Sequence, residues 1–156
     1  MGILVATGRG GSGKTSFIAM ATKCLIEKGR YPMLLVDVDP DQNLGEAVGV
    51  DLEKEGRKTL SELVVETFLE KGGTLVGVSP SERIESKIWE AALYEGEHFD
   101  FLAVGPKWIE GCYCLPDAAL KRALESLEKN YDIVLVDSPA GLEHLNRKIT
   151  SRVDII

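Results

Sequence analysis

Four glycines, a lysine and a threonine fall within eight residues in Gly8-Arg9-Gly10-Gly11-Ser12-Gly13-Lys14-Thr15, the densest chemistry in the chain. The order matches G-x-x-x-x-G-K-[ST], the pattern of a turn that wraps phosphate groups. Glycines let consecutive backbone N–H groups turn inward around an anion, and a helix opening there adds its partial positive charge. In this pattern Lys14 supplies a point charge to the β- and γ-phosphates, and the Thr15 hydroxyl ligates Mg²⁺. Gly10, Gly11, Ser12, Gly13, Lys14, Thr15 and Ser16 are therefore the candidate binding residues for ATP, with Mg²⁺ at Thr15. Asp137 closes the apolar run Ile133-Val134-Leu135-Val136, where a second magnesium-holding carboxylate belongs, acting through water. Asp39 and Asp41 follow another apolar run, at the strand end where ligands of open α/β sheets gather. One of them can orient or deprotonate an attacking water, and the competing reading is a solvated Asp-Pro turn.

A second constellation is Cys112-Tyr113-Cys114, between Gly111 and a helix that begins near Pro116. A helix N-terminus favours thiolate, the form that binds metal. Two thiolates are half of a tetrahedral site for Zn²⁺ or Ni²⁺, and a second copy of the chain across a two-fold axis can supply the other half. A pair of reduced structural cysteines or a local redox pair fits the same spacing. Cys24 falls on the apolar side of the first helix and reads as core, and His98 and His144 stand alone in sequence.

The elements that must position these residues follow from periodicity. Ile3 to Thr7 is a short buried strand that runs directly into the glycine-rich stretch. A helix follows from Ser16 to Lys28, with Phe17, Ala21, Cys24 and Leu25 at inward spacing and Gly29 as its C′ residue. Met33 to Asp37 is the next strand, completing a βαβ unit. Between Asp51 and Glu97 the chain reads as a charged, helical excursion. Leu60, Leu63, Val64 and Phe68 keep helical spacing behind a Thr59 N-cap. Ser79-Pro80-Ser81-Glu82 opens another helix, with Ile84, Ile88, Ala91 and Ala92 on its apolar side. Phe101 to Val104 is a third strand, Pro116 to Lys129 an amphipathic helix with Leu120, Ala123, Leu124 and Leu127 inward, and Ile133 to Asp137 a fourth strand. A further helix is expected from about Leu142, and Val153 to Ile156 reads as the start of a fifth strand. The fold class is α/β, a P-loop NTPase with a doubly wound, mostly parallel sheet and flanking helices.

The chain has 156 residues, enough for a single nucleotide-binding domain over 1–156. The pattern breaks off at its fifth strand, so the C-terminal part of such a sheet is expected to be absent, as in a truncated gene product. The net charge of −7 disfavours nucleic acid as a partner. No apolar run reaches the roughly 18 residues of a membrane span, and no basic region precedes the first apolar run, so neither membrane insertion nor export is expected. With three cysteines and no export signal, a reducing cytoplasm is the expected compartment.

The form x-[KR]-G-G-x-G-K-T, with a basic residue two positions beyond Thr7, resembles the deviant Walker A motif of the MinD/ParA/nitrogenase iron protein superclass. Asp37-Val38-Asp39-Pro40-Asp41 with Leu44-Gly45, Asp137 with Ala140-Gly141-Leu142-Glu143-His144-Leu145, and Cys112-Tyr113-Cys114 together resemble the CooC-type ATPases that help insert nickel into carbon monoxide dehydrogenase. The likeness covers about the first two-thirds of such a protein. It implies an ATP-driven homodimer in which the basic residue at Arg9 reaches the partner's nucleotide. It further implies that the Cys112 and Cys114 pairs of both subunits meet on one Ni²⁺ or Zn²⁺ ion, with carbon monoxide dehydrogenase as client. Loops after the second and fourth strands would sense the γ-phosphate. The superclass signature residue is lysine, and Arg9 keeps the charge but is not interchangeable with it.

The first reading is thus a cytoplasmic ATPase, with Lys14, Asp39 and Arg9 catalytic. The rival is a nucleotide-gated switch or scaffold of the ParA/MinD kind with no metal cargo. Electron transfer through an iron–sulfur cluster on four shared thiolates is a third.

Overall fold

A computed structural model describes residues 2–69, 86–106, 125–127, 129–139 and 154–156. Among these residues five strands form one sheet: β1 (Gly2–Ala6), β2 (Met33–Asp37), β3 (Tyr94–Glu95), β4 (Phe99–Ala103) and β5 (Ile133–Asp137), in spatial order β1-β5-β2-β4-β3. The pairs β1/β5, β5/β2 and β2/β4 are parallel, and β3 adds an antiparallel edge. Among the described residues the complete helices are α1 (Lys14–Glu27), α2 (Asn43–Val48) and α3 (Leu60–Leu69), with a π-helical turn at Ile88–Ala92.

All five residues of β2 are buried, as a central parallel strand covered on both faces requires. Its side chains alternate between two cores. Leu34 and Val36 join Val134, Val136, Leu60, Leu63 and Ile88 on one face. Met33 and Leu35 join Ile18, Leu44, Phe101 and Leu135 on the other. Thus α1 and α2 cover one side of the sheet and α3 with the π-helical turn covers the other, which is a doubly wound arrangement.

Local sequence signals explain most element ends. α1 stops where Gly29, at φ 65°, accepts the left-handed conformation, and the Arg30 amide bonds back to the Leu25 carbonyl at 2.9 Å. The capping box at α3 forms as its spacing dictates: the Glu62 carboxylate accepts from the Thr59 amide at 2.7 Å, and Thr59 Oγ1 accepts from the Glu62 amide at 3.3 Å.

Three expectations need correction, and one helix went unread. The inward face of α1 is Ile18 and Thr22, with Ala21, Leu25 and Ile26 partly covered, whereas Phe17 is 49% exposed and Cys24 is exposed. Thr15 sets this rotation: it must meet Asp137 on β5, so the residues three and seven positions on, Ile18 and Thr22, share its face. Thr22 tolerates burial because its hydroxyl donates to the Ile18 carbonyl at 2.9 Å. The third strand runs from Phe99 to Ala103 rather than from Phe101 to Val104, and the short β3 before it had no alternating pattern to announce it. The stretch after Asp41 forms α2, six residues long and too short for a periodic signal. Tyr94 and Glu95 also make the end of the central region strand rather than helix.

At the opposite edge, Ile155 bridges in parallel to Leu4, and the Val5 amide donates to the Ile155 carbonyl at 2.9 Å. This agrees with a strand beginning near the end of the chain. The helix start at Ser79 to Glu82, most of the Pro116–Lys129 helix and the helix from Leu142 lie outside the described residues.

Candidate functional site: a phosphate-type cavity at the carboxyl edge of the sheet

Register builds the site. Ala6, Asp137 and Asp37 are aligned across β1, β5 and β2, so the turn leaving β1 passes over the ends of two acidic strands. Gly11 at φ 73° and Gly13 at φ 85° hold the turn in conformations that side chains resist. Gly13 is the N-cap of α1 and makes no side-chain cap bond, so the amides opening α1 take no partner from a capping side chain. Lys14 Nζ folds back to donate to the Arg9 carbonyl at 3.3 Å.

Thr15 ties the start of α1 to Asp137, which is fully buried behind it. The Thr15 hydroxyl donates to Asp137 Oδ2 at 2.5 Å, while the other carboxylate oxygen, Oδ1, is buried with no partner. Burial raises the Asp137 pKa above the usual carboxylate value, the Thr15 bond opposes that shift, and the Asp39 charge adds to it. A hydroxyl beside an unpaired carboxylate oxygen is the donor set that Mg²⁺ takes. These residues fit the ion, with Thr15 and Asp137 as the groups that would hold it.

A cavity of about 970 Å³ opens beside Thr15, lined by Gly10, Gly11, Gly13, Lys14, Thr15 and Ser16, by Asp39, Asp41, Asn43, Glu46 and Ala47, and by Pro139, with Asp137 behind Thr15 and outside the lining. Most of the sequence-derived candidates therefore converge. Ser12 does not line this space and faces a smaller cavity of about 340 Å³ with Phe17, Ile155 and Ile156. Arg9 is exposed beside the turn. Asp39 lies in the β2–α2 loop, its Oδ1 accepting from the Asp41 amide at 3.1 Å. Cys112 and Cys114, like His144, lie outside the described residues, and no group of three or more His, Cys, Asp or Glu suited to a metal stands among those described.

Sequence reasoning passed over Asp37. It is fully buried at the end of β2, and its oxygens accept from the Asp39 and Leu44 amides, both at 3.0 Å. Burial pushes its pKa up to about 7, against those two amides and aided by the charges of Asp137 and Asp39. The signal was present: β2, like β5, is an apolar run that closes on aspartate. Asn43 and Glu46 were also missed, since only the short α2 carries them to the cavity.

The family described as an AAA domain matches residues 2–156, and the chain belongs to it. Its fold is that of the MinD/ParA-type P-loop ATPases. The MinC:MinD cell division protein complex of Aquifex aeolicus contains a chain that aligns with TM-score 0.58 and 25% identity, over 97% of this chain and 52% of that one. An uncharacterised ATP-binding protein of Methanocaldococcus jannaschii is 37% identical over 99% of this chain and 59% of its own length. The carbon monoxide dehydrogenase accessory protein CooC of Rhodospirillum rubrum is 27% identical over 98% of this chain and 60% of its own. The chain thus spans 59–60% of the length of these curated relatives. No helix among the described residues is long and apolar enough to cross a membrane.

Proposed function

We propose that the chain binds and hydrolyses Mg-ATP in the cavity at the carboxyl edge of the sheet. The observation that carries this reading is the Thr15–Asp137 pair, hydrogen-bonded at 2.5 Å with one buried carboxylate oxygen left open, directly beneath the glycine-rich turn. Among the described residues that line the cavity, Lys14 is the single cation and Asp39, Asp41 and Glu46 are acidic. That balance favours phosphates that arrive with divalent charge. Mg²⁺, when bound, neutralises the phosphate oxygens and stabilises charge developing on them. The backbone amides of the turn orient the phosphates, Lys14 draws charge to the β–γ bridge, and Asp39 positions water for in-line attack. Arg9, exposed beside the turn, acts on the nucleotide of a second subunit in a homodimer.

The finer reading is a cytoplasmic maturation factor that carries Ni²⁺ (or takes up Zn²⁺) on Cys112 and Cys114 of two subunits and delivers nickel to carbon monoxide dehydrogenase. The likeness to CooC and the Cys112-Tyr113-Cys114 spacing support it. A nucleotide-gated switch without metal cargo is the second reading, supported by the likeness to the MinC:MinD chain. The deciding experiment measures bound metal per chain together with solution mass, with and without ATP, in the wild type and in the Cys112→Ser/Cys114→Ser double variant. One metal per two chains, lost with both thiols, is the expected outcome of the nickel reading. A dimer governed by ATP with no metal at any stoichiometry selects the switch.

A further inference from the structure

The β2–α2 loop carries Asp39 into the phosphate-type cavity, yet it is held from behind by a residue that does not line that cavity. Asp37 is fully buried at the end of β2, level with Asp137 on one side and Ala103 on the other. Each of its oxygens takes one main-chain amide from the loop: Oδ1 from Asp39 and Oδ2 from Leu44, both at 3.0 Å. These two amides bracket Pro40, Asp41, Gln42 and Asn43. Within the bracket Gln42 sits at φ 51°, the left-handed region that a side chain disfavours and that persists only where surroundings impose it. Leu44, at the far end, is fully buried and anchors the start of α2.

A carboxylate offers acceptors on both oxygens, so one side chain can close the loop at both ends, whereas an amide side chain puts an N–H donor at one of the two positions. We infer that Asp37 is a positioning residue: its carboxylate clasps the two ends of the 39–44 loop and thereby fixes Asp39 against the phosphates. The clasp explains how a loop containing a left-handed glutamine keeps one shape. This assignment rests on reading the cavity as the ATP site, but the clasp itself is testable without nucleotide.

The test is amide hydrogen exchange on the nucleotide-free chain, followed by steady-state ATP hydrolysis, in the wild type and in Asp37→Asn. In the wild type, the Asp39 and Leu44 amides are expected to exchange as slowly as those of β2. In Asp37→Asn at least one of them should exchange roughly 10-fold faster or more while the β5 amides keep their protection. The same variant should lose roughly 10- to 100-fold in kcat, the scale for a catalytic group displaced by about 1 Å, with KM for ATP within about threefold. Fast exchange of both amides in the wild type would overturn the clasp, a measurement that needs no variant to fold. Unchanged exchange and kcat in a folded Asp37→Asn would overturn it equally, as would parallel losses at β5 and in KM, which mark general damage. A wild type that shows the slow amides but hydrolyses no ATP leaves the clasp standing and removes the function proposed for the cavity.

Discussion

The two edges of the sheet treat their aspartates in opposite ways, half-buried Asp100 at one and fully buried Asp137 at the other. At the amino edge, Asp100 is closed off: the Tyr131 hydroxyl donates to one oxygen and the Gly96 amide to the other at 3.1 Å. At the carboxyl edge, Asp137 accepts from Thr15 through one oxygen and leaves the other buried and unpaired. The amino edge has an orphan too, Nδ1 of His98, whose ring lies 4.9 Å from that of Tyr31, but it is not a carboxylate oxygen. An unpaired buried acceptor costs about 1–3 kcal/mol, more when charged, so a fold under pressure for stability alone would pair it as Asp100 is paired. The contrast sets a fully paired carboxylate at one edge against one with a free acceptor at the other, as the proposed Mg²⁺ site requires. Asp37 shows that the carboxyl edge is not simply badly packed, because both its oxygens are satisfied one strand away from Asp137.

That contrast can be broken by substitution, and the largest effect is expected at Lys14. Lys14→Ala should lower ATP hydrolysis by about 10²- to 10³-fold, the usual effect of losing one preorganised charge-stabilising group. Its melting temperature should stay close to that of the wild type, as a phosphate-release assay paired with a thermal melt will show. Asp137→Asn comes next, with a loss of about 100-fold in Mg²⁺-dependent hydrolysis. Here the contrast becomes sharper, because the variant should resist denaturant as well as or better than the wild type, by about 1 kcal/mol, once a buried carboxylate with an unpaired oxygen is removed.

Tyr131→Phe should do the reverse. It removes a donor from Asp100 and should cost about 1–2 kcal/mol in a denaturant melt while leaving ATP affinity unchanged. Loss of ATP binding in this variant would mean that the two edges are coupled. The same tyrosine has a pKa raised above its ordinary value of 10.0, first by burial and then by the bond to Asp100. The folded state therefore keeps its proton after the unfolded chain has lost it, so this contribution to stability is intact below pH 10 and declines as pH rises beyond it. Alkaline titration of stability should show a shallower decline in Tyr131→Phe. The smallest effect belongs to Cys24→Ser, where an exposed position predicts a change within about 0.5 kcal/mol. A loss of several kcal/mol there would restore the core reading that the helix rotation displaced.

Periodicity and punctuation made much of this legible in advance. The glycine-rich turn, β1, β2, β5, the Gly29 stop and the Thr59 N-cap all follow from interactions within a few residues. Where several faces were compatible with the spacing, the pattern misled. Phe17, Ala21, Cys24 and Leu25 satisfy a helical period as well as Ile18, Ala21, Thr22 and Leu25 do. Hydrophobicity favoured the first set, and the Thr15–Asp137 contact selected the second.

Local chemistry settled that Lys14 and Thr15 lead a helix out of a glycine-rich turn, because that geometry needs only residues close in sequence. It also settled that β2 and β5 end in aspartate. Nothing local could say that these strands are neighbours. Residues 37 and 137 are brought into register by the order β1-β5-β2, a consequence of long-range pairing and of cores on both faces of the sheet. The tertiary structure alone therefore decided which aspartate keeps an open oxygen under the turn and which is spent holding the loop, because hydrogen-bond partners depend on what packs alongside and not on the residue's own type.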